Sequence, residues 1–339
     1  MVENRKQHII ISIVIVAILL TFAAIMFLSE RQKEPYRIIY IPKEEGVNND
    51  FWNTVIAGAK MAAEENGAIL QVVAGEKEAD IGRQNELIAW AVSQKPDAIV
   101  VSPCSYLDST EALKKIKEQG ITLTLVDSVV EEEIADCIVA TDNIAAGQEL
   151  GTYAASILPE HAQIAIVGHI QAASTAKDRE KGVRLGLGAR EADVKEVVFC
   201  GSVFGKAYEL TLGLIKKYPD LSMIIGLNEY SAVGAARAIR DSGMQKQVKM
   251  LGFDSSIEEI QLMEEGIFQG IIVQKPFSMG YLGIEQTIKQ LKGEETQTNI
   301  NSGAKLITAN NMYTEENQKL LFPFVEQPAV TKEEKQTDK

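Results

Sequence analysis

The sequence predicts an α/β protein in which two doubly wound parallel-sheet lobes, joined by hinge crossovers, follow one N-terminal transmembrane helix. Three observations predict this arrangement. Residues 9–28 form an almost unbroken apolar run, short apolar segments then alternate with amphipathic ones, and the alternation restarts after Asp142. Continuous apolar strands separated by helices are typical of parallel sheets that helices cover on both faces.

The apolar run has only Ser12 and Thr21 as polar residues, and about twenty helical residues cross the hydrocarbon core of a bilayer once. The segment after it has no Ala-x-Ala cleavage site. We therefore expect a cytoplasmic head at 1–8, an uncleaved single-pass anchor at 9–28 and a linker at 29–36. The folded body is expected to be extracytoplasmic, at the cell membrane. A cleaved signal peptide is the alternative, and the flanking positive charges do not settle the orientation.

The first β–α series is predicted to contain strands at 37–42, 69–75, 98–103 and 122–127. The helices between them are predicted at 51–67, 79–94 and 109–120. In the first helix Val55 and Ala59 share one face, and Gly67 ends it. Asp80 and Ser109 are expected to cap the starts of the next two helices, because short oxygen-bearing side chains accept bonds from free backbone N–H groups.

The second series is predicted to contain strands at 137–142, 163–169, 194–201, 222–228, 248–254 and 270–276. Its helices are predicted near 143–158, 174–191, 206–219, 230–243, 255–267 and 276–293. The predicted lobe limits are 37–141 with 275–301 for the first lobe, and 142–274 with 302–321 for the second. Hinge crossovers are expected near 141–142, 274–275 and 301–304. The polar, aperiodic end at 322–339 is expected to be disordered.

Composition excludes several classes of protein. The formal net charge is −13 and no run of Lys and Arg occurs, which argues against a nucleic-acid partner. Three cysteines, Cys104, Cys137 and Cys200, are too few for a disulfide-dense scaffold, and we expect small buried hydrophobic residues, although one bridge remains open. The hydrophobic fraction of 46% and the charged fraction of 24% are those of a globular protein.

Polar and aromatic side chains collect where the predicted strands end, and ligands of open α/β sheets bind beyond those ends. Asn49, Phe51 and Trp52 follow the first strand, and polar residues close several later ones. The hydroxyls of a sugar both donate and accept hydrogen bonds, and its C–H faces lie flat on rings. The set therefore predicts a site for a small sugar or sugar-like ligand.

In the order and spacing of its motifs, the chain resembles the ribose-type sugar-binding proteins of the type I periplasmic-binding fold, from residue 37 to about 312. The resemblance rests on NNDFWNTVIAGAKMAAEENG, KPDAIVVSP, TLVDS, VATDN, STAKDREKGVR, GLNEYSAVGAARAIRDSG, KMLGFD and IIVQKP. The chain is also similar to the sensor domain of lactose-repressor-type regulators. Those regulators carry an N-terminal helix-turn-helix, where this chain has its apolar run, so the resemblance does not favour a repressor.

The resemblance implies a ligand site made of Asn49, Phe51, Trp52, Ser102, Asp127, Ser128, Arg179, Phe204, Asn228, Phe253, Asp254 and Gln274. The position after Asp127 is commonly arginine in binders of ribose and related hexoses, and here it is Ser128. The loss of a forked donor argues against ribose itself but not against a sugar as the ligand class. Asp127 and Arg179 have structural alternatives, as a turn cap and a solvated charge.

No enzymatic constellation is found. GSVFGKA at 201–207 falls short of a phosphate loop, GLGARE at 186–191 lacks the third glycine of a dinucleotide fingerprint, and there is no G-x-S-x-G. His8, His161 and His169 show no metal-ligand spacing. We therefore expect no catalysis, no cofactor and no metal; an enzyme on a Rossmann-like fold is the remote alternative.

We expect a monomeric solute-binding protein that clamps its ligand between two lobes and presents the closed form to a membrane partner. That partner is the permease of an ABC importer or a sensor histidine kinase. A receptor subunit for a non-sugar signalling molecule is the second alternative, because Ser128 replaces the expected arginine.

Overall fold

The computed structural model describes residues 14–16, 18–21, 34–45 and 49–322. Residues 14–16 and 18–21 are helical and belong to a first compact unit, residues 1–36. No helix in the described ranges combines the length and the apolar character that a membrane crossing requires. The predicted head lies outside the described residues, as do most of the predicted anchor and linker and all but the first residue of the predicted tail.

The second compact unit starts at Arg37, and its described residues form twelve strands. They are β1 (Arg37–Ile41), β2 (Ile69–Val72), β3 (Ala98–Val101), β4 (Thr122–Val126), β5 (Cys137–Ala140), β6 (Ile164–Gly168), β7 (Val194–Phe199), β8 (Met223–Gly226), β9 (Lys249–Phe253), β10 (Phe268–Gln274), β11 (Asn299–Asn301) and β12 (Ala304–Ile307). Each strand of the predicted α/β alternation is present, which confirms the alternation of apolar runs as a strand signal.

The strands form two six-stranded sheets, which define two lobes. The sheet of lobe 1 has the order β11-β5-β4-β3-β1-β2 and is parallel throughout. The sheet of lobe 2 has the order β12-β10-β9-β8-β6-β7 and is parallel except for β12, which runs antiparallel to β10. The fold class is therefore a two-lobed α/β structure, as predicted.

The helices of this unit are α1 (Asp50–Glu65), α2 (Ile81–Ser93), α3 (Thr110–Glu118), α4 (Asn143–Ile157), α5 (Ser174–Leu187), α6 (Phe204–Lys217), α7 (Glu229–Asp241), α8 (Ile257–Glu264), α9 (Pro276–Lys292) and α10 (Glu315–Leu321). The predicted helix at 174–191 ends early, because Gly188 takes a positive φ and starts a short 3-10 helix, Gly188–Asp193. A reversal of that kind stops α-helical bonding.

Helix starts show one correct cap prediction and one wrong one. The Oδ1 of Asp80 accepts a bond of 2.9 Å from the backbone N–H of Arg83. Ser109 does not cap α3, because its Oγ lies 3.3 Å from the backbone nitrogen of Ser105, on the loop before the helix. The three cysteines are buried and free, so the single bridge left open by the sequence is not formed.

Two glycines let helices on the sheet faces approach closely. A Cβ on Gly182 of α5 would overlap the carbonyl oxygen of Ile144 on α4, and a Cβ on Gly280 of α9 would overlap the carbonyl oxygen of Val55 on α1. Each of these glycines thus lets the backbones of two neighbouring helices pack directly against each other.

The chain passes between the lobes three times, and side-chain hydrogen bonds join the three crossing segments. Thr141 stands on the first crossing, Gln274 enters the second and Ser302 lies on the third. The hydroxyl of Thr141 donates to the Oε1 of Gln274 at 2.8 Å and lies 3.3 Å from the hydroxyl of Ser302. A cluster of short crossings is the arrangement in which two lobes can rotate as bodies about a common hinge.

Candidate functional site

The carboxyl ends of the strands of both lobes border one cleft. The cleft is lined by Lys43, Asn49, Phe51, Trp52, Glu78, Asp127, His169, Thr175, Arg179, Asn228, Asp254 and Gln274. The space left among these side chains is only ≈ 20 Å³, which is room for about one water molecule. A ligand of sugar size therefore requires the lobes to separate or the lining side chains to move.

The wall of lobe 1 is built around a buried ion pair. Asp127 directly follows β4, and Lys43 lies two residues after β1. The Nζ of Lys43 is 2.9 Å from the Oδ2 of Asp127, and the two side chains are 3% and 4% exposed. The hydroxyl of Ser128 donates to the same oxygen at 2.6 Å. The positive charge beside Asp127 thus comes from Lys43, 84 positions earlier in the chain.

Both members of this pair stay charged. Burial works against the ionised form of Asp127, but the positive charges of Lys43 and Arg179 outweigh it and lower the pKa of the carboxyl. Burial also works against the Lys43 ammonium, yet the negative charges of Asp127 and Glu78 raise its pKa. The opposite charge of each partner therefore helps to keep the other ionised in this buried position.

The aromatic part of this wall is oriented by the start of α1. Asn49 is the N-cap, and its Oδ1 accepts a bond of 2.8 Å from the backbone N–H of Trp52. The rings of Phe51 and Trp52 meet edge to face at 5.1 Å. The indole Nε1 of Trp52 donates to the Oε1 of Glu78 at 2.5 Å, which fixes the ring against the cleft.

The wall of lobe 2 is organised by Arg179 in the first turns of α5. Its Nε donates to the Oδ1 of Asn143 at 2.8 Å, and its Nη1 donates to the carbonyl oxygen of Leu227 at 2.7 Å. The Nη1 is 4.0 Å from the Oδ2 of Asp254, and the guanidinium lies 4.6 Å above the ring of Phe253. Because these contacts fix the planar guanidinium in one orientation, it can act as a rigid hydrogen-bond donor.

Asp254 directly follows β9 and joins this wall to the hinge. Its Oδ1 accepts a bond of 2.6 Å from the Nε2 of Gln274, and its Oδ2 accepts one of 2.9 Å from the backbone N–H of Glu229. Burial raises the pKa of Asp254 although Arg179 opposes this. Asn228 completes the wall as the N-cap of α7.

Two carboxyl groups of lobe 1 meet hydroxyl groups of lobe 2 across the cleft. Glu78 accepts a hydrogen bond from the hydroxyl of Ser202, and Glu44 accepts one from the phenol of Tyr230. Burial, together with the nearby charge of Glu78, raises the pKa of Glu44 to about 7. These contacts hold the two walls together in the arrangement described.

The structure brings eight of the twelve predicted site residues to the cleft: Asn49, Phe51, Trp52, Asp127, Arg179, Asn228, Asp254 and Gln274. It places the other four elsewhere. Ser102 is buried with its Oγ 3.1 Å from the hydroxyl of Tyr40, and Ser128 and Phe253 lie behind Asp127 and Arg179. Phe204 packs on Tyr230 at 4.5 Å and lines a separate pocket.

Four residues of the cleft were not found from the sequence: Lys43, Glu78, His169 and Thr175. His169 directly follows β6, so the rule that strand ends bear the site would have identified it. Glu78 stands in the loop between β2 and α2, where no local pattern marks it. The Nε2 of His169 lies 2.9 Å from the hydroxyl of Thr175. Burial and the charges of Arg179 and Lys43 lower the pKa of His169, so the ring is neutral.

The arrangement provides fixed charges, amide groups and an aromatic ring on two opposed surfaces. Carboxylates accept bonds from hydroxyl groups, the guanidinium donates to ring or hydroxyl oxygens, and Trp52 offers an apolar surface. Within the ranges that the structure describes, no group of three His, Cys, Asp or Glu side chains could hold a metal ion. The hydrogen-bonding groups and the ring of this cleft suit the recognition of a small polar molecule.

Comparison with known proteins gives consistent matches. A family model described as a periplasmic binding protein domain matches residues 38–295. A crystal structure of a sugar transporter from Clostridium phytofermentans is 42% identical, with a TM-score of 0.77 over 80% of this chain and 99% of that one. An ABC transporter solute binding protein from Agrobacterium vitis with bound D-fucose is 26% identical, with a TM-score of 0.80 over 84% and 99% of the two chains. The ribose import binding protein of Bacillus subtilis (strain 168) is 23% identical over 264 residues, 77% of this chain and 84% of its own.

Proposed function

The chain belongs to the periplasmic binding protein family, and from that premise we propose that it is an extracytoplasmic solute-binding protein for a small sugar or sugar-like ligand. The observation that carries the proposal is the cleft itself. Lobe 1 contributes Asp127 and Trp52, lobe 2 contributes Arg179 and Asp254, and all four face the same space. The matched proteins from Clostridium phytofermentans and Agrobacterium vitis, described as a sugar transporter and as a protein with bound D-fucose, support this ligand class.

The mechanism is a reversible clamp. A ligand that bonds to both walls binds the closed arrangement more tightly than the open one, and therefore shifts the population toward closure. The three bonded crossings at Thr141, Gln274 and Ser302 are the proposed hinge. We keep the lobe limits at 37–141 with 275–301 and 142–274 with 302–321, because each sheet draws its strands from one of these sets.

The closed form is proposed to be recognised by a membrane partner. The similar protein from Agrobacterium vitis, described as an ABC transporter solute binding protein, supports the permease of an ABC importer. The apolar run at 9–28 supports retention of the protein at the membrane by one uncleaved helix, and with it a sensor histidine kinase as the other candidate partner. Cross-linking of the full chain in native membranes, with mass spectrometry of the captured protein, separates the two. The mass of the mature protein decides whether residues 9–28 are retained.

The ligand proposal is tested by thermal unfolding of the full-length protein with neutral pentoses and hexoses and with sugar derivatives. A ligand that binds only the native state raises the melting temperature by an amount that grows with its concentration. Calorimetry on any positive compound then gives the affinity, and small-angle scattering with and without it measures closure. If no sugar or derivative shifts the melting temperature, the proposed function is wrong. If binding occurs without a change of shape, the clamp mechanism is wrong.

A further inference from the structure

Three carboxyl groups on the lobe 1 side of the cleft, those of Asp127, Glu78 and Glu44, lie near the ammonium group of Lys43. Asp127 bonds directly to the Nζ of Lys43 at 2.9 Å. Glu78 and Glu44 are close enough for their charges to interact with Lys43, but within the described residues neither forms an ion pair with it. This side of the cleft therefore carries more negative than positive charge.

Glu78 is a carboxylate of this group that forms no ion pair with any of the described residues. It is 5% exposed, and its two oxygens accept bonds from the indole N–H of Trp52 and from the hydroxyl of Ser202. Both donors are neutral. A buried carboxylate that lacks an ion pair of its own is costly, so a positive charge that enters the cleft would be favoured at this point.

Among the described residues, the guanidinium of Arg179 in lobe 2 forms no ion pair with Glu78. Arg179 is already bonded to Asn143 and to the carbonyl oxygen of Leu227, beside Asp254. His169 lies on the same wall and is neutral. Its Nδ1 is buried at the cleft with no hydrogen-bond partner in the described part of the chain. A hydroxyl group of a bound ligand would give this buried atom the hydrogen bond that it lacks.

On the basis of the proposed function, we infer that the ligand of this cleft is a polyhydroxyl compound that carries a protonated amine, and that Glu78 is the residue that selects it. The ammonium group binds Glu78 within reach of Glu44, and the hydroxyl groups bond to Asp127, Arg179 and the Nδ1 of His169. Closure removes the new ion pair from water, which strengthens it.

The test compares three matched compounds, D-glucosamine, D-glucose and N-acetyl-D-glucosamine, together with the corresponding galactose set. The acetylated compounds keep the nitrogen substituent but lose its charge, so they separate charge from shape. Affinities are measured by calorimetry on the full-length protein and on its Glu78→Gln and Glu86→Gln variants. Glu86 is a matched control, because it loses the same charge at a 71% exposed position on α2.

We expect an amino sugar to bind about ten- to a hundredfold more tightly than its neutral parent, since a bond to a charged group is worth about one to two powers of ten. This preference should disappear in Glu78→Gln and persist in Glu86→Gln, while Glu78→Asp, which keeps the charge, retains part of it. The melting temperature without ligand shows whether each variant is folded.

Two results would overturn this inference and leave the proposed function standing. In one, neutral sugars bind as tightly as their amino counterparts. In the other, the preference for the amine survives Glu78→Gln in a folded protein. If neither neutral nor amino sugars bind to the wild-type protein, the proposed function fails, and this inference fails with it.

Discussion

Asp127 and Asp254 occupy equivalent places in the two lobes but are stabilised in opposite ways. Each directly follows the third strand in its sheet order, each has a positive φ (70° and 80°), and each is buried at the cleft. Asp127 has a cation at 2.9 Å, which lowers its pKa. Asp254 has its nearest cation at 4.0 Å and is held by Gln274 and a backbone N–H, and burial raises its pKa.

The difference shows how one fold builds two kinds of wall. The wall of lobe 1 depends on two ions that each need the other, so losing one leaves a buried charge without a partner. The wall of lobe 2 divides its bonds among Arg179, Gln274 and backbone groups, so losing one leaves the others in place. We expect an abrupt response to mutation in lobe 1 and a graded response in lobe 2.

The largest effect is expected from Asp127→Ala. It leaves the ammonium of Lys43 buried and unpaired, and we expect a loss of about 3–5 kcal/mol in the free energy of unfolding, measured by urea denaturation. The double variant Lys43→Met/Asp127→Ala removes both charges and should recover most of that loss. If the double variant is no more stable than the single one, the ion pair is not what holds this wall.

A smaller loss is expected from Gln274→Ala in lobe 2. The variant removes the donor to the Oδ1 of Asp254 and the acceptor for the hydroxyl of Thr141, and each buried group left unpaired costs about 1–3 kcal/mol. Because Asp254 keeps its bond to the backbone N–H of Glu229, urea denaturation should show a moderate change. Gln261→Ala on the exposed face of α8 is the control and should change stability little. A loss as large as that of Asp127→Ala would remove the distinction between the walls.

The contact between the walls is expected to depend on pH through Glu44. Its pKa rises from 4.5 to about 7 in the folded protein, so the folded state holds this proton more tightly than the unfolded state. The stabilisation is therefore complete below pH 4.5 and is lost as the pH rises to 7. Allowing for solvent screening, we expect a change on the order of 1–2 kcal/mol. Melting temperatures between pH 4.5 and 8 for the wild type and Glu44→Gln check this, since the variant should lack that part of the slope. Identical slopes would contradict the assignment.

The smallest effect is expected from Ser128→Ala. The variant removes one hydrogen bond to Asp127 but leaves the ion pair with Lys43, so we expect a loss of about 1 kcal/mol by urea denaturation. The contrast with Asp127→Ala tests whether Lys43, more than Ser128, stabilises the carboxylate of Asp127. A loss of several kcal/mol here would show that Ser128, and not Lys43, stabilises the carboxylate.

The strands and helices were predictable because their signals are local. Apolar runs such as residues 98–101 mark buried strands, and Asp80 caps a helix from three residues away. Ser109 shows the limit of this reasoning, because a suitable residue at a helix start can bond to the loop instead. Eight of the twelve predicted site residues reach the cleft, since parallel strands end at one edge of their sheet.

The charges that distinguish this cleft could not be predicted in the same way. Lys43 pairs with a carboxylate 84 positions away, and Glu78 meets a hydroxyl 124 positions away. No spacing or periodicity connects such residues, because their distance depends on how strands are ordered and how the lobes close. Phe204 shows the reverse error. Its position in a glycine-flanked loop led to the prediction that it contacts the ligand, but its ring packs on Tyr230 of α7 instead.

The sequence by itself determined the alternation of strands and helices, the division into two series and the polar character of the strand ends. These follow from side chains that interact with near neighbours in the chain. The tertiary structure alone decided which polar ends face each other, that Lys43 pairs with Asp127, and that Glu78 forms no ion pair with any of the described residues. Those outcomes depend on burial and on distances between separate elements, and only the packed molecule defines them.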